Sequence, residues 1–391
     1  MRKLAILVSH PIQYQTPLFK KISHAKEIEL AVYFCWEGGA RKPYFDWQFG
    51  QQVRWDIPLL EGYNYKFLRN FSPAPSSDFW GQINPGIIIE LIRGRYDAIL
   101  IYGWNSLTNW LAFATAFLTK TPIILHAENP LNQELQKSSF KLKTKKIIFT
   151  RFFRRIAAFL YIGEENKKFY KYYGMPAEKL FFAPYAVNND YFIAEYKNLI
   201  NKKIDLRKEL GLPPDKVVIL FSGKLISKKR PMDLLRAFER ARSDKKYLIF
   251  LGDGALRKEL ESYAKKNNIR DIFFAGFCGQ RELPKFYAAS DIFVLPSGFG
   301  ETWGLVVNEA MCFKLPIIAS DIVGCSSDLV KTGENGFVFE VGNIDSLTGH
   351  LEQLLKDGEM RKSFGDKSFE IIKNYSHKED LKALVDVLHY L

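Results

Sequence analysis

Residues 291–310 read DIFVLPSGFGETWGLVVNEA, and the reading of the fold starts there. Residues 291–295 form an apolar run with the length and composition of a strand buried on both faces, as in a parallel sheet. Pro296, Ser297, Gly298 and Gly300 end that strand in a loop. Glu301 follows, then Gly304, then a helical pattern over residues 305–311. A helix that starts at Gly304 aims backbone N–H groups without intrahelical partners at whatever fills the mouth of the loop, and such an end attracts phosphate. Glu301 and Glu309 are eight positions apart, about two helical turns, so both can point toward that mouth. A diphosphate at the helix start, flanked by carboxylates that accept hydrogen bonds from sugar hydroxyls, describes a nucleotide-sugar site.

Outward from this cassette the chain alternates strand and helix. Residues 216–222 read as a strand, followed by a loop holding Gly223, Lys224 and Lys229 and a helix from Met232. Two lysines five positions apart on a glycine-started loop can grip both phosphates of a diphosphate, each as a point charge. Residues 247–251 are a strand ending in the turn Gly252-Asp253-Gly254, and 271–278 are a strand and loop ending in Phe277 and Cys278. In the first half, residues 4–8, 28–34, 97–102, 121–127, 157–162 and 180–183 read as strands. Alternation of this kind gives parallel sheets with right-handed crossovers, whose ligands bind at the carboxyl ends of the strands. His10, Gln13, Tyr102, Trp104, His126 and Glu128 fall in those exit loops and are candidates to bind a second substrate. For His10 and His126 a purely structural role stays open beside the functional one.

The order Pro-Ser, Glu301, Gly304-Leu305-Val306, Glu309-Ala310-Met311, with its strand before and 316–320 after, resembles the donor signature of family 4 (group 1) retaining glycosyltransferases. The loop 223–231 resembles that family's phosphate loop, with Lys224 in the place of an arginine. Residues 184–190 resemble its hinge, with Tyr185 and Ala186 replacing Asn-Gly. The resemblance is detailed over about residues 216–345 and loose before them. It implies a GT-B fold: two Rossmann-like, doubly wound parallel-sheet α/β domains facing across a cleft. Residues 1–187 would bind the acceptor, residues 188–375 the nucleotide-sugar donor, and a last helix over 376–391 would pack back on the first domain. It also implies the donor-binding set Gly223, Lys224, Lys229, Gly252, Phe277, Cys278, Glu301, Thr302, Trp303, Gly304, Leu305 and Glu309. The acceptor set would be His10, Gln13, Tyr102, Trp104, His126 and Glu128. Glu301, Lys229, Lys224 and His126 would carry the chemistry. His126 and Glu128 are the nearest titratable groups to the place where the family holds a histidine on the preceding strand, here Tyr102 or Gly103. The implied reaction moves a hexose-type sugar from a UDP or GDP carrier to a hydroxyl acceptor with retention. It needs no cofactor and no metal, because Lys224, Lys229 and the helix start supply positive charge to the leaving diphosphate.

Composition narrows the alternatives. A chain of 391 residues with 47% hydrophobic content can bury two cores. The cysteines Cys35, Cys278, Cys312 and Cys325 are scattered, as expected for reduced thiols in a cytoplasmic protein. The N-terminus runs directly into a strand pattern, so neither a signal segment nor a transmembrane stretch is expected. Net charge is +13, and with no nucleic-acid-binding motif in view it points to an anionic membrane surface or an anionic substrate. Residues 141–155, KLKTKKIIFTRFFRR, carry seven basic residues and no acid. On a helix they predict either peripheral contact with the anionic inner face of a cell membrane, and so a glycan or lipid-linked acceptor, or an ordinary solvated face. Residues 36–85 hold Trp36, Tyr44, Phe45, Trp47, Trp55, Phe79 and Trp80, which form either part of an acceptor site or a satellite core. Two readings compete with the transferase: a nucleotide-sugar epimerase of the same two-domain form, and a non-catalytic sugar or nucleotide binder.

Overall fold

The computed structural model describes residues 1–41, 43–46, 50–53 and 55–391. Its strands in chain order are β1 (Arg2–Val8), β2 (Ile28–Phe34), β3 (Tyr44–Asp46), β4 (Gln51–Val53), β5 (Tyr65–Phe67), β6 (Ala98–Tyr102), β7 (Ile123–His126), β8 (Ala158–Tyr161) and β9 (Leu180–Phe182). There follow β10 (Val217–Ser222), β11 (Lys246–Leu251), β12 (Ile272–Gly276), β13 (Ile292–Leu295), β14 (Ile317–Ser320) and β15 (Gly336–Phe339). The chain divides into two units. The first holds Met1–Tyr44, Ile57–Tyr185 and His377–Leu391; the second holds Phe45–Asp56 and Ala186–Ser376.

In the first unit a seven-stranded sheet runs β5-β2-β1-β6-β7-β8-β9, every pairing parallel. Successive side chains of a strand point to opposite faces. Ala5, Leu7, Ile99, Ile101, Ile123 and Leu125 therefore enter one buried cluster, and Leu4, Ile6, Val8, Leu100 and Ile124 the other. Each fully buried aliphatic side chain contributes roughly 1.5–3 kcal/mol. Both faces are covered, which is why these strands read as continuous apolar runs. The last helix, His377–Tyr390, belongs to this unit and adds Ala383, Leu384, Val387 and Leu388 to the second cluster.

The second unit holds a six-stranded sheet in the order β12-β11-β10-β13-β14-β15, again parallel throughout. Strand order reverses beside β10, which pairs β11 on one edge and β13 on the other. Parallel neighbours end at the same side of the sheet, so the loops leaving β10 and β13 meet at this switch point. That is where ligands of doubly wound sheets bind.

Two differences from the sequence reading stand out. Residues 45–56 were expected in the first domain with the rest of 1–187, but they join the second unit. Lys224 binds Asp46, and the amides of Gln280 and Arg281 bind Asp56, and these polar anchors outweigh chain proximity. No helix was read directly after the hinge at 184–190, yet Asn189–Leu199 is a helix whose Asn188 side chain accepts from the Tyr191 amide. Such a cap satisfies a first-turn donor, and Asn189 adds bonds to the Ile372 and Tyr375 carbonyls.

Candidate functional site

In the second unit the backbone is shaped before any side chain acts. Gly223 and Gly252 have φ of +145° and +136°, and a Cβ on Gly252 would collide with the Gly223 carbonyl. The loops leaving β10 and β11 thus touch backbone to backbone. Gly304, at φ +98°, turns the chain into the helix Leu305–Cys312, and a Cβ there would crowd Leu295 and Val323. The turn before that helix is braced by Gly324, whose amide bonds the Glu301 carbonyl at 3.1 Å, and by Cys325 on the Trp303 carbonyl at 3.0 Å.

The two loops of the switch point are joined by charge. Lys229, on the turn Ser227–Lys229, places Nζ 2.5 Å from Glu301 Oε2, with side-chain exposures of 14% and 10%. The Lys228 carbonyl accepts from the Gly298 amide at 2.7 Å, tying the loops a second time. Burial acts to raise the Glu301 pKa, but the Lys229 and Lys228 charges outweigh it and hold the carboxyl below its usual value. Glu301 is therefore an acceptor at neutral pH, suited to sugar hydroxyls. An ammonium has three donors, so Lys229 can hold Glu301 and a phosphate oxygen together.

The remaining expected donor residues divide. Lys224 is held by Asp46, with contacts of 2.9 and 3.2 Å to its two oxygens. Glu309 is buried and accepts from the Tyr287 hydroxyl at 2.7 Å. Burial pushes its pKa up to about 7, against the lowering effect of that bond. The Trp303 side chain is 2% exposed and donates its indole N–H to Asn308 Oδ1 at 2.9 Å, so it packs inward and can offer a ligand only its backbone. Cys278 is half-buried, and burial raises its thiol pKa to about 12, which removes it as a nucleophile. Asp56 lies against Gly279 beside Phe277 and Cys278, accepting from the Gln280 and Arg281 amides at 3.0 Å each. Asp46, Asp56 and Tyr287 were missed in the sequence, since nothing local marks an acid or tyrosine whose partner is remote.

In the first unit a polar cluster gathers at the ends of β6 and β7. Tyr102 and His126 are register partners with rings 4.6 Å apart. Tyr185 lies 6.1 Å from the His126 ring and 5.5 Å from Tyr14, and donates to Glu128 at 2.7 Å. Burial lowers the His126 pKa to about 4, so the ring is neutral near pH 7. Its buried Nδ1 has no hydrogen-bond partner among the described residues. Gln13 is half-buried at the β1 exit. His10 bonds Ser9 at 2.9 Å, packs against Trp36 at 5.2 Å and has its pKa lowered by burial to about 4. Trp104 is half-buried, and its ring packs on Phe149, Phe153 and Phe169. Of the aromatic-rich stretch, Trp36 and Tyr44 pack together, Phe79 and Trp80 form an exposed pair, and Trp47 lies outside the described residues.

The basic segment forms the helix Ser139–Phe153. Its faces are mixed rather than divided. Phe152 and Phe153 pack inward, Lys145 turns in to Glu134 at 2.7 Å and lies over Phe149, and the exposed side combines Phe140, Ile147 and Ile148 with Lys141, Lys143, Lys146 and Arg151. Among the described residues no helix is long and apolar enough to cross a membrane.

Residues 202–370 match the profile of a family described as glycosyl transferases group 1. The second unit belongs to that family. This group 1 unit carries the loop 223–231 and the Glu301–Glu309 cassette together. The chain is 26% identical over 306 residues to the sulfoquinovosyl transferase SQD2 of Arabidopsis thaliana, covering 75% of this chain and 56% of that one. It is 26% identical over 311 residues to the UDP-Gal:alpha-D-GlcNAc-diphosphoundecaprenol alpha-1,3-galactosyltransferase of Escherichia coli, covering 74% and 76%. In the first curated relatives the matched stretch spans about half of their length. Anabaena Alr3699/HepE, solved in complex with UDP and glucose, superposes with a TM-score of 0.75 over 100% of both chains at 18% identity. The chain has the GT-B fold, two Rossmann-like domains with parallel sheets.

Proposed function

We propose that this chain is a retaining glycosyltransferase that moves a hexose-type sugar from a nucleoside-diphosphate carrier to a hydroxyl of a glycan or lipid-linked acceptor. The observation that carries the reading is the Lys229–Glu301 pair at the switch point of the group 1 unit, beside the Gly304 helix start. Lys229, Lys224 and the first helical amides stabilise the diphosphate as the C1–O bond breaks and its electron pair passes to the phosphate oxygen. The acceptor oxygen bonds to C1 from the same face, and its proton goes to that phosphate oxygen. Positive charge comes from the chain itself, so the reaction runs without a metal. Glu301 binds sugar hydroxyls, and Glu309 the ribose once ionised. His126, neutral and with a buried unpartnered nitrogen, accepts or donates one hydrogen bond to a reacting hydroxyl, with Glu128 and Tyr185 beside it.

HepE, which binds UDP and glucose, and the relative from Escherichia coli, named for a UDP-sugar and a lipid-linked acceptor, support UDP-sugars as the first donors to try. The exposed cations and apolar side chains of Ser139–Phe153 support peripheral attachment to an anionic membrane on the cytoplasmic side, where such an acceptor would be presented. The test is a panel of nucleotide sugars scored by thermal shift and then for transfer. A donor at 100 times its dissociation constant adds about 2.7 kcal/mol of stability. Release of free sugar epimer without transfer would favour the epimerase, and binding without turnover the passive binder.

A further inference from the structure

The segment Phe45–Asp56 is anchored on the group 1 unit by two acids, one near each end. Asp46 sets both carboxylate oxygens on Lys224 Nζ, at 2.9 and 3.2 Å, and Asp56 takes the amides of Gln280 and Arg281 at 3.0 Å each. Lys224 leaves β10 directly after Gly223, and the Lys229 side chain passes beside that glycine, so both lysines serve one loop. The two are held differently. Lys229 meets a single oxygen of Glu301, an acid of its own site. Lys224 is engaged by both oxygens of an acid 178 positions away.

We propose that Asp46 is a tethered competitor for the donor diphosphate: it occupies Lys224 and must yield when phosphate oxygens arrive. The proposal rests on the reading of Lys224 as a diphosphate ligand. A carboxylate and a phosphate oxygen seek the same ammonium, and both are anions. Asp46 sets two oxygens on an ammonium that has three donors, where Glu301 sets one on Lys229, so a phosphate oxygen finds less of Lys224 than of Lys229, and at 24% and 13% exposure water screens the repulsion between the two anions little. The tether keeps the carboxylate at high effective concentration, with Asp56 fixing its far end. The opposite role, a brace that orients Lys224 for the donor, predicts the opposite sign.

The experiment is calorimetric titration of UDP, with GDP and ADP alongside, into the full chain and its variants. Asp46→Asn tightens binding by about three- to tenfold, the factor by which a competing state populated roughly two-thirds to nine-tenths of the time lowers apparent affinity. Asp46→Glu keeps the charge and binds like the unaltered chain, and its thermal midpoint checks that the segment tolerates substitution. In a Lys224→Gln background the effect of Asp46→Asn vanishes, because the two residues act as one unit. Unchanged or weaker UDP binding by Asp46→Asn overturns the proposal while leaving the donor site intact. If Lys224→Gln alone binds nucleotide normally, the reading of Lys224 falls and takes the proposal with it.

Discussion

Lys229 Nζ lies 2.5 Å from Glu301 Oε2, and this pair joins the two loops that leave β10 and β13. Neither side chain is well exposed, so removing one partner leaves an uncompensated charge. Lys229→Met is expected to cost about 3 kcal/mol in urea unfolding. The double variant Lys229→Met/Glu301→Gln is expected to recover much of that, since no lone charge remains. Because the Glu301 pKa is depressed in the folded state, its contribution is present above the ordinary value of 4.5 and is lost as pH falls below it.

Glu309 behaves in the opposite direction. Its pKa is raised from 4.5 to about 7 by burial. The folded state therefore binds this proton more tightly than the unfolded state. Stability from this group is full below 4.5 and declines as pH rises to about 7, by up to about 3 kcal/mol. Thermal midpoints of Glu309→Gln measured from pH 4.5 to 7.5 should lack that decline. A decline as steep as in the unaltered chain would assign it elsewhere.

His126 carries no charge near pH 7, so the role proposed for it is a hydrogen bond rather than a positive field. His126→Phe is expected to lower kcat by about 10²-fold, at the lower end for loss of a positioned catalytic side chain, with UDP affinity retained. With a pKa of about 4, His126 adds no inflection to the kcat profile between pH 5 and 8.

Flotation with vesicles tests the helix Ser139–Phe153. Binding to phosphatidylglycerol vesicles, absent on phosphatidylcholine, should fall when Ile147 and Ile148 become Glu and when Lys143 and Lys146 become Gln. Equal flotation of these variants would return the helix to an ordinary solvated face.

Transfer should persist after exhaustive chelation with EDTA, since in the proposed reaction the leaving diphosphate is stabilised by Lys229, Lys224 and the helix start at Gly304. Loss of turnover restored by Mg²⁺ would show that these cations do not suffice.

Much of the fold was legible because parallel strands buried on both faces leave unbroken apolar runs, such as residues 4–8 and 291–295. That Lys229 and Glu301 both lie on loops that follow strands and precede helices was legible too, but their ion pair was not. Long-range partners were not. Asp46 and Lys224 are 178 positions apart, and the aromatic stretch around Asp46 pointed to stacking rather than to an ion pair. Trp303 and Trp104 stood in the expected donor and acceptor sets with nothing local to show their packing; Asn308 holds one indole, and the other packs on Phe149, Phe153 and Phe169. The helix Asn189–Leu199 was not read from the sequence, although Asn188 carried the capping signal.

The central claim is that a nucleoside diphosphate is clasped where Lys229 meets Glu301. The most direct measurement is the affinity of UDP and GDP for the unaltered chain, for Lys229→Gln and for the surface control Lys258→Gln. The account predicts saturable binding of at least one nucleotide, weakened at least about tenfold by Lys229→Gln, a loss of about 1.4 kcal/mol, and unchanged in the control. Binding equally tight in Lys229→Gln, or no binding of either nucleotide, would contradict it.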